Sequence, residues 1–287
     1  MGRRGERRAR SETAAFQGRT AIVTGGASGI GRAMGERLAE LGAKVWLADV
    51  DGDAVERSAA ELGDAVVGRR LDVTDGPAFT ALVDEVVDRD GTLDLLFNNA
   101  GVSLGGPTHE MTAEHWNRVL DVNLGGVVNG VLAAYPRMIE QGHGHIVNTA
   151  SGAGLSPPPF IAAYTTSKFG VVGLSRALRP EAALHGVKVS VFCPGAVDTP
   201  LLDVSGPPGL PPTSAQEITG RDFLAIVGQK PVPSDGVARR ALELVAANKA
   251  IIVVPAAAKT LWYADRWCPP LGTAVLGYMT RRVDRRL

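Results

Sequence analysis

The chain predicts a single-domain α/β fold, a doubly wound seven-stranded parallel sheet with helices on both faces. Three observations carry that expectation. Short apolar runs alternate with helix-length segments from residue 19 onward, the runs are too continuously apolar to leave one face in water, and a glycine-rich turn joins the first run to the first helix. Strands buried on both faces belong to parallel sheets covered by helices, and regular strand–helix alternation is the pattern of βαβ units.

The strands are expected at residues 21–23, 44–48, 65–67, 93–97, 145–148, 188–192 and 251–254, with helices that include 31–41, 77–89, 113–132, 165–183 and 235–247. No internal repeat or domain linker interrupts them. The reading divides the chain into a flexible basic tail at 1–16, the α/β domain at 17–258 and a C-terminal extension at 259–287. Pro200, Pro207, Pro208, Pro211 and Pro212, with Gly206 and Gly209, cannot continue helix or sheet, so a long loop is expected there. Loops of that length in a compact domain are usually functional, and this one is read as a lid over about 200–230.

Composition narrows the class. With 45% hydrophobic and 21% charged residues and a mean hydropathy of +0.06, the 287-residue chain is neither disordered, collagen-like nor a coiled coil. No apolar run approaches the roughly 18 residues of a membrane span. Cys193 and Cys268 make no disulfide framework and match no metal-ligand spacing, which fits a reducing, cytoplasmic setting. The neutral total hides an uneven layout. Residues 1–10 carry five arginines against one glutamate and residues 281–287 four arginines against one aspartate, which leaves −7 for the rest. Solvated basic ends are the plain reading and contact with anionic lipid or nucleic acid the sharper one; the acidic body argues against nucleic acid. The first residues lack the apolar stretch of a secretory signal, so export is not expected.

The turn after the first strand reads Thr24-Gly25-Gly26-Ala27-Ser28-Gly29-Ile30-Gly31. Glycines at this point allow a tight turn and close approach to a pyrophosphate held at the positive end of the next helix. The spacing is Gly-x-x-x-Gly-x-Gly rather than the commoner Gly-x-Gly-x-x-Gly. Asp49 closes the second strand 18 residues after Gly31, where a carboxylate accepts bonds from the adenosine ribose and repels a 2′-phosphate. No arginine follows Asp49, and Ser28 rather than a base precedes Gly29, so NAD is expected over NADP.

With Asp72 in Leu71-Asp72-Val73, Asn98-Asn99-Ala100-Gly101, Asn123, Ser151, Tyr164-x-x-x-Lys168 and Pro194-Gly195, these elements together resemble the short-chain dehydrogenase/reductase family, in the family's order and over roughly residues 17–255. The resemblance implies a Rossmann-like fold and an NAD(P)-dependent oxidoreductase. It also implies that Asp72 meets the adenine edge with Val73 packing nearby, that Asn99, Ala100 and Gly101 line the adenosine side of the cleft, and that Val197 and Thr199 contact the nicotinamide carboxamide and pyrophosphate. Asn123 would link Lys168 to solvent through a water, and a homodimer or homotetramer is implied through the Tyr164 helix and its neighbour.

The chemistry is also arguable from the residues. Tyr164 and Lys168, four apart on a helix, share a face. A phenol of ordinary pKa near 10 is a poor base at neutral pH, so a neighbouring ammonium and a cationic nicotinamide are expected to lower it. Tyr164 then acts as general acid or base, Lys168 tunes it and holds the nicotinamide ribose, and Ser151 bonds the substrate oxygen. A catalytically silent nucleotide sensor or scaffold on the same fold is the alternative. Histidines 109, 115, 143, 145 and 185 form no metal-ligand pattern, Ser151 lacks a Gly-x-Ser-x-Gly elbow, and Cys193 reads as packing.

Leu201, Leu202, Val204, Leu210, Ile218, Phe223 and Leu224 make the lid apolar, with Pro157, Pro158, Pro159 and Phe160 opposite, which favours a hydrophobic secondary alcohol or ketone. The segment at 261–279, with Trp262, Tyr263, Trp267 and a Cys-Pro-Pro break, is open to three readings: a cap on the site, an oligomer contact or a membrane-surface contact. Packing on a neighbouring subunit is preferred.

Overall fold

The computed structural model describes residues 12–204, 206–214 and 218–285. Its core begins with β1 (Thr20–Thr24), α1 (Gly29–Glu40), β2 (Lys44–Asp49), α2 (Gly52–Leu62), β3 (Val66–Arg70), α3 (Gly76–Asp90) and β4 (Leu95–Asn98). It continues with α4 (Ala113–Leu120), a π-helical turn (Asp121–Gly125), α5 (Gly126–Gln141), β5 (Gly144–Thr149), α6 (Ala162–Ala183), β6 (Val187–Pro194) and β7 (Val197–Asp198). The last elements are α7 (Gly220–Ile226), β8 (Val232–Pro233), α8 (Ser234–Ala246), β9 (Ile251–Val254), α9 (Ala258–Trp267) and α10 (Pro269–Asp284).

Seven strands form one parallel sheet in the order β3-β2-β1-β4-β5-β6-β9. The chain winds outward from β1 to β3, then returns to β4 on the other side of β1. Ligands bind such sheets beyond the strand carboxyl ends at that reversal. Side chains alternate faces along each strand. Val23, Val45, Leu47 and Phe97 pack with Met34 and Leu38 of α1 and with Val237 and Leu242 of α8. Ile22, Trp46, Leu96 and Ile146 pack against Phe79 and Val83 of α3, Met138 of α5 and Leu178 of α6. At two helix starts an aspartate accepts a first-turn amide: Asp51 from Ala54 N at 2.9 Å, and Asp75 from Ala78 N at 2.9 Å.

Several expectations are corrected. The third strand lies at Val66–Arg70, not 65–67, pairing Asp49 with Arg70 at its end. The helix expected at 113–132 is two helices with a π turn between them, and the second runs on to Gln141. Of the expected tail at 1–16, residues 12–16 are helical, because Phe16 is 1% exposed in the core and Glu12 is paired with Arg37 at 3.2 Å. The arginines at 3, 4, 7, 8 and 10 lie outside the described residues. The extension forms two helices broken at Cys268, and the lid contains a short helix, α7.

Candidate active site

The glycine turn between β1 and α1 is a cradle that side chains would fill. Gly25 and Gly29 have φ of +66° and +53°, where an L side chain is strained. A Cβ on Gly31 would stand 2.1 Å from the Gly25 carbonyl oxygen, and one on Gly29 would press Thr199 Cγ2 at 3.1 Å. Ser28 is the N-cap of α1 without a side-chain capping bond, and no acid occupies the first turn, so the helix end keeps its positive character toward the cleft. Asp49 accepts from Ala27 N at 3.1 Å and from Asp51 N at 3.2 Å, fixing the turn to the end of β2. A bare cradle at a helix N-terminus beside a carboxylate fits the pyrophosphate and ribose of a dinucleotide.

The other predicted contacts gather around it. Asp72 accepts from the Thr74 N–H at 2.9 Å and the Thr74 hydroxyl at 2.7 Å, and these bonds hold its carboxyl below the usual range. Val73 is buried and leaves no room for a Cβ on Gly126. The Thr24 hydroxyl, which sequence reasoning passed over, accepts the N–H groups of Asn99 at 2.9 Å and Ala100 at 3.0 Å, and Asn99 Nδ2 donates back to the Thr24 carbonyl at 3.0 Å. A Cβ on Gly101 would lie 3.1 Å from Asn123 Oδ1 and 3.5 Å from Lys168 Nζ. Past Pro194, Gly195 donates to the Val254 carbonyl at 2.9 Å, and Ile30, Val197 and Thr199 line the cavity beyond.

Helix α6 brings Tyr164 and Lys168 to one face, with the Lys168 ammonium 5.6 Å from the Tyr164 ring centroid. Lys168 is 3% exposed, and its Nζ donates to the Thr149 carbonyl at 3.0 Å. Burial lowers its pKa to about 8. Burial also raises the Tyr164 phenol, with a hydrogen bond from Ser151 working the other way. Burial thus works against the depression expected of the phenol from Lys168 and a cationic nicotinamide. Ser151 Oγ accepts from Ala153 N at 3.1 Å as the cap of a short 3₁₀ turn, which presents it beside Tyr164.

Asn123 is fully buried in the π turn. Its Oδ1 accepts from Val102 N at 2.8 Å, while its Nδ2 donates to the Val102 carbonyl at 2.9 Å and to Ser167 Oγ at 3.2 Å. Ser167 in turn donates to the Tyr164 carbonyl at 2.6 Å. Asn123 thus ties the loop after β4 to the helix that carries the tyrosine. Cys193 is buried packing, and burial pushes its thiol up to about 12, which leaves it a poor nucleophile. Among the described residues, no cluster of histidine, cysteine and acid could hold a metal.

Above these groups lies a cavity of about 520 Å³. Ser151, Tyr164 and Phe160 line its floor, and Leu202, Phe223 and Leu224 of the lid form one wall. The C-terminal extension also lines it, through Leu261, Met279 and Val283. Of the three readings of the extension, the cap on the site is the one that a single chain realises. Met279 and Val283, four apart, are an inward stripe that the sequence carried and that went unread.

A glycine cradle at the reversal of a parallel sheet, facing a serine, tyrosine and lysine, defines the class as a dinucleotide-binding oxidoreductase. The family model described as short chain dehydrogenase matches residues 19–207, and the chain belongs to that family. It is 40% identical over 215 residues to 1-deoxy-11-beta-hydroxypentalenate dehydrogenase of Streptomyces exfoliatus, covering 71% of this chain and 78% of the relative. It is 37% identical over 201 residues to levodione reductase of Leifsonia aquatica, covering 68% and 75% respectively. The crystal structure of a short-chain dehydrogenase/reductase from Burkholderia phymatum in complex with NAD superposes with a TM-score of 0.82 at 36% identity, over 89% of this chain and 95% of that one.

Proposed function

We propose that the protein interconverts a hydrophobic secondary alcohol and its ketone with NAD(H) as the hydride carrier. The observation that carries this reading is that Ser151 and Tyr164 line a largely apolar cavity together with Ile30 of the glycine turn, with the buried Lys168 ammonium 5.6 Å from the Tyr164 ring centroid. Relatives named as a hydroxypentalenate dehydrogenase and a levodione reductase, and a structural neighbour solved with NAD, support it.

NAD, when bound, accepts or supplies the hydride at nicotinamide C4. Residues 25–31 hold the pyrophosphate by backbone N–H groups at the α1 terminus, and Asp49 holds the adenosine ribose and disfavours a 2′-phosphate. Ser151 donates to the substrate oxygen, which gains negative charge as a carbonyl is reduced. Tyr164 Oη gives that oxygen a proton in reduction and takes it in oxidation. Lys168 holds positive charge near the phenol and favours its ionised form. Asn123 fixes the loop–helix junction on which these positions depend. Apolar walls exclude water and select a substrate whose bulk is hydrocarbon.

The test pairs binding with turnover. Fluorescence titration is expected to show NADH binding more tightly than NADPH, with turnover across a panel of hydrophobic secondary alcohols and ketones. Tyr164→Phe is expected to lose turnover while keeping NADH affinity within a few-fold. Retained turnover in that variant overturns the mechanism, and tighter NADPH binding overturns the role of Asp49.

A further inference from the structure

The α9–α10 hairpin has two faces. Inward, Gly272, Met279 and Val283 of α10 are buried, and Met279 and Val283 wall the cavity. Outward, Trp267 is 82% exposed, and Leu271, Tyr278 and Tyr263 are also exposed. At 3.6 residues per turn, Leu271, Ala274, Tyr278, Arg281, Arg282 and Arg285 fall within a sector of roughly 100° on α10. Arg282 lies over the Tyr278 ring at 5.7 Å. On α9, Lys259, Tyr263 and Trp267 recur every four residues along one stripe. Between the helices the tip is exposed without a break from Arg266 through Leu271.

An exposed tryptophan, two tyrosines and a leucine set among cations make an unusual solvent face. Aromatic rings with lysine and arginine are the composition of a helix lying in a bilayer interface, where apolar groups enter the acyl boundary and long cationic side chains reach the headgroups. Charge identifies the surface. Residues 258–285 carry five basic side chains against two acidic, whereas residues 11–257 carry a net −8. A second copy meeting this face about a two-fold axis would set arginines against arginines, which opposes an isologous contact. No described helix is long and apolar enough to cross a membrane, so the contact lies on the surface.

We propose that the outward face of the α9–α10 hairpin docks the protein on an anionic lipid surface. The same two helices wall the cavity, so docking would place the cavity's wall against the phase in which an apolar substrate concentrates; this consequence, though not the docking, rests on the proposed alcohol–ketone reading.

The test is co-sedimentation of the full-length protein with vesicles of phosphatidylcholine alone, or of phosphatidylcholine mixed with phosphatidylglycerol, at low and high salt. Binding is expected only to the mixed vesicles and to weaken with salt. Arg281→Gln with Arg282→Gln is expected to lower it roughly 30-fold, each cation near a charged bilayer being worth about fivefold. Trp267→Ser is expected to lower it as well, with an unchanged far-ultraviolet spectrum. These residues are exposed, so folding is not at stake. No binding, equal binding to neutral vesicles, or full binding by both variants overturns the proposal, the last assigning it to another surface such as the N-terminal arginines. A concentration-dependent dimer abolished by Trp267→Ser overturns it in favour of a second copy. Vesicle binding is read without turnover, so its failure and that of the enzymatic reading are distinguishable.

Discussion

Lys168 stands 5.6 Å from the centre of the Tyr164 ring, held there by its bond to the Thr149 carbonyl at 3.0 Å. The lysine is thus a buried group beside the phenol, and in the proposed mechanism it would act on it as a charge held in place. Lys168→Met is expected to lower turnover by about two orders of magnitude, within the range for lost acid–base assistance. The direction of its pH effect is fixed by burial. A pKa lowered to about 8 means the cation is present below that pH and disappears above it. The kcat/KM profile of the wild type should therefore carry a limb near 8 that Lys168→Met lacks, measured by steady-state assays across pH.

A second titration concerns the fold. His145 is 6% exposed on β5, and its Nε2 pairs with Ser190 Oγ at 2.8 Å. Ser190 Oγ donates to the Lys249 carbonyl at 2.8 Å, so Nε2 is the donor in the first pair. Burial, with Lys188 and Arg179 nearby, pushes this imidazole down to about 3 from an ordinary 6.5. Between those values the unfolded chain binds the extra proton. Stability is then complete above about 6.5 and falls as the pH drops toward 3, by up to about 1.4 kcal/mol per unit from this group. Urea unfolding at several pH values should show this slope in the wild type. His145→Asn should be less stable at neutral pH and show a shallower acid slope.

At the cofactor end, the Asp49 carboxylate also accepts the Ala27 amide at 3.1 Å, so the proposed selectivity for NAD would be coupled to the shape of the glycine turn. Asp49→Ser is expected to weaken NADH at least tenfold while affecting NADPH less, which narrows or reverses the preference. Titration of both nucleotides checks it. A uniform loss for both would mean that the carboxylate serves the turn alone.

The glycine cradle, Asp49 and the Ser151, Tyr164 and Lys168 set were legible in sequence because each obeys a local spacing, and the strands because burial on both faces leaves unbroken apolar runs. What escaped depends on distant partners. The π turn at Asp121–Gly125 has no period of its own; it sits where Asn123 bonds both Val102 and Ser167. Thr24 reads in sequence only as the first residue of the glycine turn, and it is β4 that brings Asn99 and Ala100 to its hydroxyl. The extension offered aromatic residues and a break at Pro269, but the reversal that turns Met279 and Val283 onto the cavity is tertiary. The phenol's raised pKa escaped for a related reason: it comes from burial, which sequence does not print.

The lid is tied down by exposed polar contacts near its start and near its middle. Arg221 of α7 reaches Asp203 at 2.6 Å and Asp198 at 2.7 Å, while Glu110 accepts the Ser214 N–H at 2.6 Å and its hydroxyl at 2.9 Å. In between, His115 Nε2 bonds the Pro211 carbonyl at 2.8 Å from a buried ring. Exposed ion pairs add little to stability and weaken with salt. Arg221→Ala should therefore leave global stability nearly unchanged while loosening the wall formed by Phe223 and Leu224. The expected result is a several-fold rise in KM for the apolar substrate, little change in kcat and no change in NADH affinity. High salt should reproduce part of that rise in the wild type and little of it in the variant. A fall in kcat with KM unchanged would instead place Arg221 in the chemical step.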